Sequence, residues 1–593
     1  MQYELIGEND ITNLFDTVLH NRNVIGEEAK KLILNPTAES LIFPFKLKNM
    51  EEAIVLLLTH YEKGSKIAVV VDSDMDGYTS ATVMMSFLQS SLQMKDVHFI
   101  IHKGKEHGIN DYIIEQAVNI YGANLIITPD ASSNDWVAHK KLKDMGVDVL
   151  VLDHHEIEIN SNAIAEGLCS PEGESRNAVV VNPLLSPDYH NKQISGVGVT
   201  YKFIQAFCEY CSLPPYAEEY LDLVAMGNVA DMMDLRSPET RYLVYEGLKK
   251  SNLKNPLLKA MVKSYSGANT YMTPERVSWD IAPKINGMIR VGKLEEKTRM
   301  MEAFLGIEYE MKRTWRGKEY VESLPDCVAR EAKNAHSRGK NLKSKLADSA
   351  LMRAEELDIL DKKIVIIPME SLPSGMGGIV AQEVSSRLKK PVSIVSDYGD
   401  NYAGSVRGYD PVHTDTKSLF ENSGLVNFAR GHGQAHGVSF PKEHHLTLIE
   451  RISEDLVNSD NKLPVDFILP SRMLSTNLVK RVDTYSEYFG HGVHKPKFVF
   501  TDIELTSGIM TFNANSIIVD YNGVQVVSYK KDEELQELIE SDNKVTVDII
   551  GALGVGQWRG KAKFQLQIDT VVIKNTTPHK KDTVKKGFGY IAF

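Results

Sequence analysis

IAVVVDSDMDG, residues 67 to 77, decides the fold: an apolar, mostly β-branched run that reads as a buried strand leads directly into Asp72, Asp74 and Asp76. A second run, VDVLVLDHH, residues 147 to 155, ends the same way on Asp153, His154 and His155. Around them, between residues 65 and 235, IAVVV, VHFII, LIIT, VDVLVL and AVVV alternate with stretches of helical period, which predicts a doubly wound α/β sheet. Ligands of such sheets gather beyond the carboxyl ends of the strands, and Asp72 to Asp76, Asp130 and Asp153 to His155 all fall there.

Further along, residues 236 to 307 read as mostly helical, and residues 308 to 356 as a charged connecting helix broken by Pro325. A second α/β unit opens with KIVIIP and runs through GGIVAQEVSSRL and PVSIV to ARGHGQAHGVSF. From about residue 497 to 575, FVFTDIEL, SIIVDY, VQVVSY, KVTVDIIG and KFQLQIDTVVI are strand-like with Gly and Asn turns, the pattern of a small β-barrel.

Composition sets bounds on class. At 593 residues the chain exceeds a single core, and 42% apolar with 25% charged residues is ordinary for a soluble globular protein. With neither a leader nor an apolar run of membrane-spanning length, the expected location is the cytoplasm. The four cysteines, Cys169, Cys208, Cys211 and Cys327, suit a reducing compartment, and the CxxC at 208 to 211 lies in a helix-like apolar pattern without a second ligand pair, so it reads as core thiols. A net charge of −12 argues against a protein that coats DNA nonspecifically, yet leaves room for a nuclease with a local positive track.

Asp72-Ser73-Asp74-Met75-Asp76-Gly77 spells the start of a calcium loop, but the twelfth position, where a glutamate is needed, is Val83, and a strand precedes the motif. What remains is a turn that places alternate carboxylates on one side, suited to hard divalent cations. Asp130 and Asp231, each taken alone, read as helix caps or solvated acids. Adjacent imidazoles at the end of an apolar strand are expensive to place without a task, so His154 and His155 point to function. His432 and His436 have i, i+4 spacing, but Gly433 stands where a zinc helix carries its glutamate, and the glycines favour a phosphate cradle of bared amides.

VDSDMDG, TPDASS, LDHH and MGNVADMMDL resemble the four successive motifs of the DHH phosphoesterase superfamily. AVVVNPLLSP, ISGVGVTYKF, IAPKINGMIRVGK, SGMGGIVAQEVSSRL, GSVRG and RGHGQAHG continue the likeness in the order of its RecJ-type exonucleases, and the tail with QWRGKAKFQLQID resembles their oligonucleotide-binding barrel. The resemblance implies two α/β lobes, DHH and DHHA1, joined by a long helix, plus a C-terminal OB-type β-barrel. The expected organisation is a mostly helical cap over residues 1–64, a DHH catalytic domain over 65–307, a connecting helix over 308–356, a DHHA1 domain over 357–462, and an OB-like domain with a basic tail over 463–593.

Carried over by position, the resemblance implies metal ligands at Asp74, Asp76, Asp130, His154 and Asp231 for two divalent cations, Mn²⁺ or Mg²⁺. The same resemblance implies that Asp130 bridges them, that Asp72 and Asp153 stand beside as orienting groups or ligands, and that His155 faces the scissile phosphate. Where relatives in this superfamily carry a histidine four residues before Asp74, Val70 stands here, which implies a weaker or more hydrated first ion. Arg290, Ser405, Arg407 and His432 match substrate-phosphate positions, Arg430 and His436 depart from the glycine and alanine of the family pattern and make that loop more basic, and Trp558 and Tyr529 are candidates for stacking on bases. The implied activity is hydrolysis of single-stranded DNA, 5′→3′, to 5′-mononucleotides by a two-metal mechanism, serving repair, recombination or replication. A monomer is expected, with single-stranded DNA as partner and a single-strand-binding protein or helicase as helper. Two rivals differ in kind: an oligoribonuclease or cyclic-dinucleotide phosphodiesterase, and a scaffold that grips single strands without cutting.

Overall fold

The apolar runs assemble into one parallel sheet from β1 (Ile67–Val71), β2 (Val97–Ile101), β3 (Leu125–Pro129), β4 (Asp148–Leu152) and β5 (Val179–Val181), in the order β2-β1-β3-β4-β5. Both faces are covered: Val69 and Val71 join Ile127 and Leu152 in one core, while Ala68 and Val70 join Ile126 and Val151 in another. Double burial is why these strands read as unbroken apolar runs. The structure is a computed structural model and describes residues 2–266, 272–373, 375–409, 415–456, 462–506, 510–513, 516–528, 537, 543–558 and 561–578, with side chains except at 2, 265, 266, 315, 432, 510–513, 516, 517, 543, 557, 558, 561, 577 and 578.

After β1, helix α1 (Met75–Ser86) starts at Asp74, whose side chain accepts from Gly77 N at 3.0 Å and caps the first turn. The sequence places this start about four residues later, near Thr79; in the structure only Asp72, Ser73 and Asp74 separate the strand from the helix. Helices α2 (Gly196–Tyr210) and α3 (Leu221–Ala230) pack on the same face, and α4 (Ala282–Val291) follows.

Residues 308 to 356 differ from expectation. Glu310–Trp315 and Lys318–Ser323 pair as an antiparallel hairpin whose turn residues, Arg316 and Gly317, have φ of 50° and 75°. Helix α5 (Leu324–Glu356) begins only then, capped by Ser323, with Pro325 in its first turn where the missing N–H is harmless. Its first half buries Val328, Ala332 and Ala335 in the core of the first lobe, and its second half buries Ala347, Ala350 and Ala354 in that of the next. One rod of small residues at helical spacing therefore joins the two lobes.

The second lobe is a five-stranded sheet of β6 (Val365–Pro368), β7 (Val392–Tyr398), β8 (Asn401–Arg407), β9 (Phe428–His432) and β10 (Ala435–Pro441), ordered β9-β10-β8-β7-β6, with helix α6 (Gly377–Leu388) against it. His436 is buried, edge-on to Phe420 at 5.5 Å, so it is a packing residue and not the basic loop group expected.

The chain divides into two compact units, Asn35–Ser459 and a second made of Met1–Leu34 with Asp460–Phe593. The latter carries a seven-stranded sheet in which Lys497–Leu505, Asn543–Trp558 and Lys561–Pro578 lie side by side. A cap of residues 1–64 on the first lobe is thereby corrected for its first part. Gln2–Leu5 pairs in parallel with Lys462–Val465, and Leu14, Phe15, Val18 and Leu19 bury against Phe467, Phe489 and Val493.

Candidate metal centre

Four strand or helix ends converge beyond β1, β3 and β4. Asp72, Asp74 and Asp76 leave β1, Asp130 leaves β3, Asp153 to His155 leave β4, and Asp231 is the C-cap of α3. Three overlapping sets have ligand atoms within 4.8 Å of one another: Asp72, Asp74 and Asp130; Asp76, His154 and Asp231; Asp130, His154 and His155. His154 Nε2 lies 3.2 Å from Asp130 Oδ1, 3.2 Å from Asp231 Oδ2 and 4.0 Å from Asp76 Oδ2. The residues expected to share ions are therefore brought together. Val70 lies in the hydrophobic core on one face of the sheet, and Asp72 stands with Asp74 and Asp130.

Close approach depends on glycine at two places. A Cβ on Gly196 would fall 2.4 Å from Asp130 Oδ1, and one on Gly227 would fall 2.1 Å from Asp76 Oδ1. With both bare, the start of α2 reaches Asp76: Gly196 N donates at 2.7 Å, Val197 N at 3.3 Å and Ser195 Oγ at 3.1 Å.

The electrostatics are those of a cation site. Burial and the neighbouring Asp74 push Asp76 up to about 6; burial, Asp76 and Asp74 push Asp231 up to about 8; and Asp130 is held well above the usual carboxylate range by the same causes. Burial lowers His154 to about 4, so its ring is neutral, with a lone pair to offer. Both oxygens of Asp130 and Nε2 of His154 are buried without a hydrogen-bond partner. Orphaned oxygens and an imidazole nitrogen in an acidic cage fit hard or borderline divalent cations.

Asp153 is used differently. It accepts from Ser133 N at 3.0 Å, His154 N at 2.7 Å and His155 Nδ1 at 2.8 Å. Burial opposes its charge, but His155 and these donors hold it far below the ordinary range. His155 is half exposed; desolvation in the cleft opposes its charge, and Asp153 pushes it up to about 10.

Sequence reasoning missed two residues on the loop after β2. His107 Nδ1 lies 2.7 Å from Asp72 Oδ2, with Gly108 N donating to Asp72 Oδ1 at 3.2 Å. Lys105 is the second, and Gly375 of the next lobe sits close enough that a Cβ there would meet it at 2.8 Å. Burial lowers the pKa of Lys105, Arg290 and Arg407, and the charge of Arg290 adds to this for the other two, which marks a cation cluster beside Asp74. Gly377 and Gly378, opening α6, lie against Ser405 Oγ and Arg407 Nη2. The signal for Lys105 and His107 was their place at another strand's carboxyl end, in KGKEHG. Arg430 pairs with Glu158 at 3.5 Å. The side chains of His432 and Trp558, and all of Tyr529, lie outside the described residues. Phe498 and Phe500 are wholly core, whereas Phe564 is partly buried beneath Lys480 Nζ at 5.3 Å.

Residues 66–228 match the DHH family, N-terminal domain, and residues 465–570 match the RecJ OB domain. The chain is 32% identical, across 97% of its length and 99% of the other, to YorK of the SPbeta prophage of Bacillus subtilis (strain 168), which is assigned as a single-strand DNA-specific exonuclease. It is 24% identical to the single-stranded-DNA-specific exonuclease RecJ of the same organism, covering 95% of this chain and 68% of that one. Among solved structures, RecJ of Thermus thermophilus in complex with Mn²⁺ shares the fold with a TM-score of 0.68, at 21% identity, over 98% of this chain and 80% of that one.

Proposed function

The chain belongs to the RecJ-type exonucleases of the DHH superfamily, and from that membership we propose that it degrades single-stranded DNA from the 5′ end to 5′-mononucleotides. One observation carries the reading: the near full-length likeness to a single-strand-specific exonuclease coincides with a buried cage of carboxylates and an imidazole in which both oxygens of Asp130 and Nε2 of His154 have no hydrogen-bond partner.

Asp74, Asp76, Asp130, His154 and Asp231 would hold two divalent cations, Mn²⁺ or Mg²⁺. When bound, such ions stabilise the charge that builds on phosphate oxygens during in-line displacement and make water acidic enough to attack. The chain's own groups do the rest. Asp153 fixes the ring of His155 through Nδ1, so that a cationic Nε2–H is left for a phosphate oxygen. Amides from the start of α2 hold Asp76 in place. Lys105, Arg290, Ser405 and Arg407, from both lobes, take the neighbouring phosphate, and the OB domain retains the rest of the strand by stacking and charge. All these residues come from one chain, so a monomer suffices. A single-strand-binding protein or helicase supplies the strand, in cytoplasmic repair, recombination or replication. No helix among the described residues is long and apolar enough to cross a membrane.

The test is digestion of end-labelled oligonucleotides with Mn²⁺. A 5′-labelled single strand yields labelled mononucleotide at once, while duplex and cyclic dinucleotides persist; Asp130→Ala and chelation both stop the reaction. Activity that survives Asp130→Ala would overturn the site assignment, and early release of a 3′ label would overturn the polarity.

A further inference from the structure

His107 repeats, on the other side of the cage, the arrangement of His155. Each ring is anchored through Nδ1 to a carboxylate that is 1% exposed, Asp72 at 2.7 Å and Asp153 at 2.8 Å, and each imidazole side chain is 51% exposed. Each carboxylate also accepts a backbone amide close to its histidine, Gly108 N in one case and His155 N in the other. The strand order β2-β1-β3-β4 puts Asp72 and Asp153 on strands either side of the one that ends in Asp130. At about 4.8 Å per strand, the anchors stand roughly 10 Å apart, a span that admits a phosphodiester over the cage between two rings. Nε2 of His107 has no protein partner among the described residues, so that edge of the anchored, half-exposed ring is open to a ligand.

We propose that His107 is a second substrate-contacting histidine, which presents Nε2–H to a non-bridging oxygen of the scissile phosphodiester from the side opposite His155. The proposal rests on the exonuclease reading above. Asp72 accepts from Nδ1–H and so orients the ring, and its carboxylate favours the imidazolium form, whose second N–H, on Nε2, faces away from Asp72 and is left for an anionic oxygen. The loop that carries His107 also carries Lys105, so one segment reads two successive points on the strand, the phosphate over the cage and its neighbour at the cation cluster.

Amide replacements separate contact with substrate from support of Asp72. Glutamine places its Nε2 near the position of the imidazole Nε2, whereas asparagine reproduces only the Nδ1 contact with Asp72. His107→Asn and His107→Ala are expected to lower kcat/KM on a single-stranded oligonucleotide roughly ten- to a hundredfold, the loss of one charge-assisted hydrogen bond. His107→Gln recovers most of this, and the Mn²⁺ concentration for half-maximal activity stays at the parent value in all three. An active His107→Asn beside an impaired His107→Gln, or a loss reversed by raising Mn²⁺, would assign His107 to Asp72 and overturn the proposal. Anisotropy of a fluorescent oligothymidylate with Ca²⁺ gives a readout independent of cleavage: His107→Asn weakens binding and His107→Gln does not. An inactive parent would sink the exonuclease reading, while an active parent with three parent-like variants would sink only the role of His107.

Discussion

Asp130 has φ of 74°, a left-handed conformation, and a buried carboxylate with no hydrogen bond on either oxygen, so the fold holds it against its own stability. Asp130→Asn keeps the shape and removes the charge. It should abolish hydrolysis yet raise the stability of the metal-free protein by about 1–3 kcal/mol, and it should lose the rise in Tm that Mn²⁺ gives the parent. Thermal melts with and without Mn²⁺ check both halves. The same chemistry fixes a pH dependence. Asp231, at about 8, and Asp76, at about 6, keep protons that the unfolded chain has released above about pH 4, so the unfolded state binds fewer protons and stability falls as pH rises through that window. Metal-free Tm should therefore decline from about pH 5 to 8, and saturating Mn²⁺, which favours the ionised carboxylates, should flatten the decline; a metal-free Tm that climbs instead would contradict the shifts. At this scale Asp72 to Asp76 and Asp153 to His155 were legible because they end apolar runs. Asp231 was not legible by itself, since a helix cap has the same local pattern, and His107 was hidden because its partner Asp72 is far away in sequence.

Gly227 on α3 lies against Asp76 on α1, and elements rather than single residues set that gap. A methyl group there would sit 2.1 Å from Asp76 Oδ1 and 2.7 Å from Thr79 Oγ1, so the two helices would have to part. Gly227→Ala should lower stability by about 1–3 kcal/mol through overpacking and raise the Mn²⁺ requirement at least tenfold, measured by metal titration of activity and by denaturant melts. A variant with parent-like metal response would show that α3 can retreat without moving Asp76. Element types were legible wherever burial is two-sided, as in β1 and β4, or where one face repeats, as in α5. The hairpin at 310 to 323 was not: its strands EMKRTW and KEYVES carry charge on both faces, so no period stands out, and the Arg316-Gly317 turn is the one local sign of it. Pro325 was misread for a related reason, because a proline that breaks a helix and one that opens it differ only in what precedes them, here the Ser323 cap.

At the scale of the whole molecule, the catalytic lobes were predictable as successive blocks, but the first 34 residues were not, because their partners lie more than 400 positions away. Tyr3 OH donates to Asp548 at 2.6 Å, Arg22 pairs with Asp466 at 2.6 Å, and Phe15 stacks on Tyr485 at 4.2 Å. Such contacts have no local period and carry a large loop-closure entropy, so they leave no trace in a window of sequence. They also make the two ends of the chain one cooperative body, separate from the unit that holds the cage. Phe15→Ala, at a position 6% exposed, should therefore destabilise that body by about 3–5 kcal/mol while the catalytic unit is spared. Calorimetry should show one transition lowered and another unmoved. Hydrolysis of a 5′-phosphorylated dinucleotide, which on the proposed reading needs only the cage and the cation cluster, should keep its parent rate, whereas KM for a long single strand should rise. If dinucleotide hydrolysis fell in step with long-strand hydrolysis, the division of labour between the two units would be wrong.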